Sequence, residues 1–585
     1  VSRAEERRPV RIGNVSGFYG DRLDAAREMI ETGDVDVVCG DYLAELTMLI
    51  LAKAQAREGG VGYARTFLTQ VEQILAGCTE RGIRIVANAG GLDPAGLAGA
   101  VRAVAAAQGI AVRVAHVEGD DLRGDLSAID PPVGRTPVSA NAYLGAWGIA
   151  EALAAGADVV VTGRVTDASL VVGPAAWWHG WAPDGWDALA GAVVAGHVIE
   201  CGPQATGGNY PFLHEITDRR RPGFPIAEVA ADGSSVITKP DGTGGLVSVG
   251  TVTAQLLYEI GPPAYPGPDV TAHFDTIRLE RAGEHRVAIS GVRGSPPPDT
   301  LKVALNDVGG YRNTMTLVLT GLDIEAKAAW AEELLFGILD RDAFDDVDVR
   351  LLRFDRPDAG SNPEATAHLR ITVKGADRRL VGRGFSNATM ELALGGYAGF
   401  HTTTPPTDAT AFGIYRPARV PRTAVTHAVV LPDGTRRTVA DPPTSGPIQP
   451  QVTAPPPVGE QSNGAAGEQS RAATRRVPLG AVAGARSGDK GGDANIGIWA
   501  RDDAGHDWLA AFLTPQRIRE LLGPEAAGLD VEVFDLPNLR AVNVVVHGLL
   551  GDGVASSTRP DPQAKGLGEY LRSRLVDVPA QLLPG

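Results

Sequence analysis

Cysteine is almost absent from this chain of 585 residues; Cys39, Cys78 and Cys201 are all it has. An odd number of thiols with no Cys-x-x-Cys pair cannot build the disulfide framework of a small secreted domain and predicts a reducing compartment. Long apolar runs are missing too. No stretch approaches the roughly 20 residues that span a bilayer, and residues 2–8 are mostly charged, with no apolar export core. A cytoplasmic protein without membrane contact is expected. Basic residues are outnumbered, 54 against 70 acidic, for a net charge of -16. Such a field repels nucleic acid and leaves any phosphate-bearing ligand to local cations or oriented amides.

Several chemical signatures are absent as well. The glycines after the first apolar run are Gly13, Gly17 and Gly20, which do not form Gly-x-Gly-x-x-Gly, so the dinucleotide fingerprint fails. There is no Gly-Lys dipeptide for a Walker loop, no His-Glu-x-x-His and no Gly-x-Ser-x-Gly, and the eleven histidines have no metal-ligand spacing. No metal and no cofactor are expected.

What is present is an ordinary globular composition, 44% hydrophobic and 21% charged, at a length suggesting roughly three or four structural units. Up to about residue 201, short β-branched runs (10–15, 35–39, 83–87, 111–117, 159–161 and 198–201) alternate with alanine-rich helical stretches (23–31, 43–56, 64–76, 97–107 and 142–155). Apolar runs separated by crossover helices predict strands covered on both faces, hence an α/β fold with an open, mostly parallel sheet over residues 1–222. Residues 223–439 read as an α+β second domain of glycine-punctuated strands, including 347–353 and 369–373, around a helix at 324–339. Residues 440–475, rich in proline and carrying Gly-Glu-Gln-Ser twice, cannot bury a core and read as a flexible linker. Residues 476–585 read as a small α+β domain with strands at 479–483, 495–499, 531–534 and 542–547 and helices at 516–522 and 566–575.

In open parallel sheets ligands lie beyond the carboxyl ends of the strands. Ser16, Asp41 and Asn88 follow the first three runs, and Arg164, Thr166 and Asp167 follow the fifth. Asp41, Asn88, Arg164 and Asp167 are catalytic candidates, Asp41 to exchange protons with Glu200 and Asn88 and Arg164 to orient a carbonyl or carboxylate, and Ser16 and Thr166 are candidate substrate-binding groups. An arginine so placed grips a carboxylate or carbonyl in a fork, or pairs internally with Asp167 or Asp158. Asp93-Pro94 has the form of a helix cap and is read as structural. The richest stretch is 199–210. There Glu200 is a candidate acid or base, against a plain ion pair, and Cys201 a candidate nucleophile, against a small buried apolar residue. Gln204 joins the catalytic candidates, while Thr206, Gly207, Gly208 and Asn209 are candidate substrate-binding groups on a glycine support.

Lys239, Thr243, Gly244 and Gly245 form the best anion-site candidate, since consecutive glycines can turn N–H groups inward; a glycine-rich β-turn is the alternative. Arg486, Asp489 and Lys490, candidate substrate-binding residues, lie in a charged segment, 485–495, expected to be an internally salt-bridged loop that reaches the first domain's cleft or a neighbouring subunit's. Asp489 and Asp493 have a loose calcium-loop spacing whose other ligands are missing.

Gly163-Arg164-Val165-Thr166-Asp167-Ala168, Glu200-Cys201-Gly202 with Thr206-Gly207-Gly208, Lys239-Pro240 with Gly242-Thr243-Gly244-Gly245, and Arg486-Ser487-Gly488-Asp489-Lys490-Gly491 together resemble the acyclic terpene utilisation (AtuA) family, the last motif its carboxy-terminal ferredoxin-fold module. The resemblance implies a cytosolic protein associated with breakdown of branched acyclic terpenoids and related acyl-CoA intermediates. It supplies no mechanism. Joined to the residues, it makes the leading expectation an enzyme using acid–base chemistry, a hydro-lyase or hydrolase, on a small-molecule acyl substrate, with coenzyme A as part of that substrate and a homo-oligomeric assembly. A non-catalytic scaffold of an acyl-CoA pathway complex and a hydrolase using Cys201 are the alternatives.

Overall fold

The computed structural model describes residues 7–134, 136–446 and 473–583. Most of the expected linker at 440–475, and the start of the charged amino-terminal stretch, lie outside the described residues. The chain forms two compact units, one made of Val1–Leu305, Arg416–Gly551 and Gln563–Gly585, the other of Asn306–Tyr415 and Asp552–Pro562.

The first unit is built on an eleven-stranded sheet. Its centre is parallel, in the order Val10–Asn14, Val37–Gly40, Arg84–Ala87, Val159–Thr162, Val114–Glu118. These strands bury both faces, as parallel strands under crossover helices must. Alternation decides which layer each side chain enters. Val38, Val159 and Val161 pack with Met29, Phe67 and Val101 on one side, while Val37, Val86 and Val160 pack with Ile149, Leu189 and Val193 on the other.

Both flanks are antiparallel. On the amino-terminal edge Ile226–Val229 pairs with Val10–Asn14, followed by Ser235–Thr238, Arg286–Ser290 and Arg278–Gly283. Residues 226–290 therefore extend the first sheet, and the expected border at 222/223 is not where the compact units divide. An open edge of a buried sheet leaves a row of unpaired amides and carbonyls, and this meander covers it. The opposite edge is closed by Ala428–Val430 and Arg436–Thr438.

Four expected elements are corrected, three of them here. The run 198–201 is not a strand; it ends the helix Trp186–Ile199, which is buried from Leu189 to Ile199. A helix apolar on all sides shows no amphipathic period, so a short apolar window from it reads as a strand. The stretch 142–155 divides into the strand Ser139–Ala142 and the helix Trp147–Ala154. The charged segment 485–495 is a hairpin, Ala483–Lys490 against Asp493–Ala500, turning at Gly491 with φ +68°.

That hairpin begins the carboxy-terminal module, a four-stranded antiparallel sheet in the order Ala483–Lys490, Asp493–Ala500, Ala541–Val546, Val531–Leu536. The expected strand at 479–483 is a short turn of helix, Leu479–Ala481, leading into the first strand. Helices Asp503–Phe512 and Pro515–Leu522 are capped by the side chains of Asp502 and Thr514, and Leu567–Ser573 completes the layer. The second compact unit is α+β: Asp346–Arg353, Thr366–Gly375 and the strand containing residues 306–320 pair antiparallel, with Ile324–Ile338 and Phe385–Gly395 packed on Leu317, Leu319, Leu369 and Ile371.

Candidate active site

The candidate groups gather at the carboxyl edge of the parallel strands. Ser16 follows Val10–Asn14, Asp41 follows Val37–Gly40, Asn88 follows Arg84–Ala87, and Arg164 stands two residues past Val159–Thr162. Helix Trp186–Ile199 delivers Glu200 and Cys201 to the same edge. Asn14 Nδ2 donates to the Glu200 carbonyl at 3.2 Å, and a Cβ on Gly17 would stand 2.7 Å from the Cys201 carbonyl carbon, so only glycine allows this approach.

Asp41 and Asn88 are in direct contact. Asn88 Nδ2 donates to Asp41 Oδ1 at 2.6 Å, and Asn88 Oδ1 accepts the Tyr42 N–H at 2.8 Å. Asp41 Oδ1 also accepts the Leu43 N–H at 3.1 Å. Arg164 donates to the Leu43 carbonyl, lies 3.3 Å from Asp167 Oδ1 and stacks on Tyr143 with its guanidinium carbon 4.3 Å from the ring centroid. Its backbone N–H is accepted by Asp120 Oδ2 at 2.8 Å, which Asn141 Nδ2 also reaches at 2.8 Å. Arg164 is thus paired with Asp167, one of the two alternatives its position allowed, while Asp158 pairs with Arg84 and Arg113.

Charge balance sets the protonation here. Three carboxyl groups, on Asp41, Asp167 and Glu200, surround one guanidinium. Burial, then the charge of Asp167, pushes Asp41 and Glu200 well above the usual carboxylate range, with Arg164 opposing in both cases and Lys490 opposing at Glu200. Burial disfavours a charged carboxylate, so both are held toward the neutral acid. Coupled groups of this kind titrate as a set.

His197 belongs to this cluster and was not legible in the sequence. Its Nδ1 lies 3.2 Å from Glu200 Oε1, and its ring is 2% exposed. Burial lowers its pKa to about 4, opposed by the carbonyls of Leu256 and Gln255, so the ring is neutral at physiological pH. Nε2 is buried and makes no hydrogen bond. A Glu200 carboxyl held toward the acid can donate to Nδ1, which leaves the ring proton on Nε2, a tautomer inferred from these surroundings. The missed signal was spacing: positions three apart share a face of a helix and lie on opposite faces of a strand. Reading 198–201 as a strand separated the pair.

Cys201 is held toward the protonated thiol. Burial, then the charges of Glu200 and Glu259, raises it well above the ordinary thiol range, with Lys565 opposing. Gln204 Oε1 accepts from Arg486 of the carboxy-terminal module, and Lys490 Nζ donates to the Glu259 carbonyl at 3.0 Å. The charged hairpin thus reaches the large sheet's edge within one compact unit. Asp493 accepts the Gly548 N–H at 2.8 Å and lies 3.1 Å from His547 Nδ1, so the expected salt bridges within segment 485–495 give way, at Asp493, to a contact outside it.

Other expected binding residues are engaged in holding the edge together. Ser16 Oγ donates to the Phe18 carbonyl at 3.0 Å, and Thr166 Oγ1 shares a 2.6 Å hydrogen bond with Ser169 Oγ at a helix start. The two Thr-Gly-Gly motifs pack on each other. Leu246 N–H donates to the Thr206 carbonyl at 2.8 Å, Thr206 Oγ1 donates to the Gly223 carbonyl at 2.6 Å, and a Cβ on Gly245 would fall 2.4 Å from Thr206 O. Gly207 and Gly208 N–H groups turn back onto Gln204 and Pro203, and Asn209 takes a left-handed turn at φ +58°. Lys239 Nζ donates to the Thr243 carbonyl at 2.6 Å, and Gly245 N–H to Asp218 at 2.8 Å. In the expected anion loop of Lys239, Thr243, Gly244 and Gly245, the lysine and the N–H groups of Thr243 and Gly245 are engaged internally, and the glycines serve backbone contact.

Fold and site together define an α/β protein with a buried acid cluster at the carboxyl edge of its parallel strands, closed over by a small α+β module. Residues 10–431 match the family described as acyclic terpene utilisation family protein AtuA, and residues 477–577 match the AtuA ferredoxin-like domain. The chain belongs to the AtuA family. No curated protein and no solved structure matches it. Among the described residues no helix is long and apolar enough to cross a membrane.

Proposed function

We propose that this protein is an enzyme acting on an acyl substrate by acid–base chemistry, as a hydro-lyase or hydrolase. The observation that carries the reading is the pair of buried carboxyl groups, Asp41 and Glu200, held toward the protonated form around one shared guanidinium. Carboxylic acids kept neutral near pH 7 are costly in a fold and are what general acid catalysis needs. In dehydration, one member of the pair, ionised, removes the proton α to the carbonyl while the other protonates the departing hydroxyl, which leaves as water. Hydrolytic cleavage uses the same pair on water and a leaving group.

In this reading Glu200 is the acid, oriented by the His197 ring nitrogen 3.2 Å from its Oε1, and Asp41 is its partner. Asn88 and Arg164, expected to orient a substrate carbonyl, act instead as positioning residues for Asp41 and for the charge of the cluster, because their polar groups are engaged with Asp41, Tyr42, Leu43 and Asp167. Membership of an acyclic terpene utilisation family favours a branched acyl group, presented as a coenzyme A thioester, as the substrate class.

The test is turnover of a panel of branched acyl-CoA, 3-hydroxyacyl-CoA and enoyl-CoA thioesters by the purified full chain. Glu200→Gln and Asp41→Asn should each reduce turnover by roughly 10²–10⁴-fold without unfolding, the range removal of a general acid or base usually costs. Unchanged rates in both variants would remove the assignment.

A further inference from the structure

A second cluster lies next to the acid pair and points to a ligand. Arg486, on the strand Ala483–Lys490, is 6% exposed and carries no ion pair among the described residues. Its partners are the neutral Gln204 Oε1 and the face of Tyr258, with the guanidinium carbon 4.4 Å from the ring centroid. A guanidinium has five N–H donors in a fixed fork. A buried charge without a counter-charge is among the costlier arrangements in a protein, and an anion in the fork relieves it.

A second cation stands beside it. Lys565 donates to the Tyr258 hydroxyl, and its Nζ lies 4.4 Å from the same ring centroid. Backbone order holds the two together. Ser487 Oγ donates to the Ala564 carbonyl at 2.6 Å and accepts the Gly568 N–H at 2.8 Å, fixing the segment of Lys565 against the strand of Arg486. On that strand 486 and 488 share a face, and Gly488 makes room for Tyr258, since a Cβ there would lie 2.2 Å from the ring. Burial is the largest influence on the Arg486 pKa and lowers it, with the charges of Cys201 and Glu259 opposing. Cys201, Gln204 and Lys565 are each partly exposed, so the fork lies just beneath the surface.

We propose that Arg486 and Lys565 form an anion site that seats the carboxylate or phosphate of a substrate beside Glu200. This deepens the acid–base reading by naming a charged handle on the substrate. Gln204, which accepts from Arg486, lies four residues past Glu200 in the turn that Cys201 opens, so a ligand gripped there lies on the Glu200 side of the cluster. In a chain of net charge -16, anion capture requires such a local pair rather than the global field.

Calorimetric titration of the full chain with inorganic phosphate, coenzyme A and glutarate separates the possible sources. Saturable binding of phosphate and coenzyme A assigns a phosphate handle, and of glutarate a carboxylate. In either case Arg486→Gln should weaken binding tenfold or more, and Arg486→Lys should weaken it less, with both variants melting cooperatively. Glu200→Gln should keep the anion and lose turnover, so the two readings fail separately. Absence of binding to all three probes, or binding unaffected by Arg486→Gln, would overturn the site. So would a pH profile of Cys201 alkylation with a thiolate already formed below pH 7, since the thiolate would then be the counter-charge.

Discussion

Asn88 joins two neighbouring strand ends through one side chain, donating its Nδ2 to Asp41 at 2.6 Å and accepting the Tyr42 N–H on its Oδ1 at 2.8 Å. Both ends of the amide are consumed, and Asn88 is fully buried. Asn88→Ala leaves a buried N–H and a carboxyl oxygen without that partner, and should cost roughly 2–4 kcal/mol in urea unfolding. A loss below about 0.5 kcal/mol would show that water replaces the amide.

His197 is expected to act through Glu200 rather than on substrate. His197→Phe should lower kcat more than it raises KM and shift the pH at which activity falls, because Glu200 loses the ring nitrogen 3.2 Å from its Oε1. A purely structural histidine would lower stability and leave the pH profile of the remaining activity unmoved.

Asp269 tests the effect of buried carboxyl groups on stability. Both its oxygens accept the Ala146 N–H at 3.0 Å, and burial lifts its pKa to about 6 from the ordinary 3.8. The folded state therefore keeps a proton that the unfolded state releases, and the stabilisation present below about pH 4 is lost as the pH rises through 6. The wild-type advantage over Asp269→Asn should shrink by roughly 2.4 kcal/mol between pH 4 and 7. Denaturation curves at several pH values check this, and a constant difference would rule it out.

Two glycines should respond oppositely to alanine. Gly245 has φ +89° and no room for a Cβ against Thr206 O at 2.4 Å, so Gly245→Ala should destabilise by about 3 kcal/mol. Gly99 is exposed within the helix Pro94–Ala107 and a Cβ there meets nothing within 4 Å. Gly99→Ala should stabilise by about 1 kcal/mol. Thermal melts of the two variants decide both.

The residues alone determined the parallel centre of the sheet and the loops where polar groups gather. Short β-branched runs between alanine-rich helices have few ways to bury both faces, and the carboxyl ends of such strands lie along one edge. Asp93 behaves as its Asp-Pro context requires, capping Pro94–Ala107 by accepting the Gly96 N–H at 2.8 Å. Asp41, Asn88, Arg164 and Glu200 could be named from their positions after apolar runs. Tertiary structure decided the rest, because it depends on partners distant in sequence. Whether a glycine loop binds an anion or another loop rests on what faces it, and Thr206-Gly207-Gly208 faces residues 243–246. Whether Val198 and Ile199 belong to a strand or a helix rests on burial all round, which erases the period that sequence reading uses. The pairing of His197 with Glu200 and the meeting of Gln204 with Arg486 exist only once that helix and the carboxy-terminal hairpin have found their places.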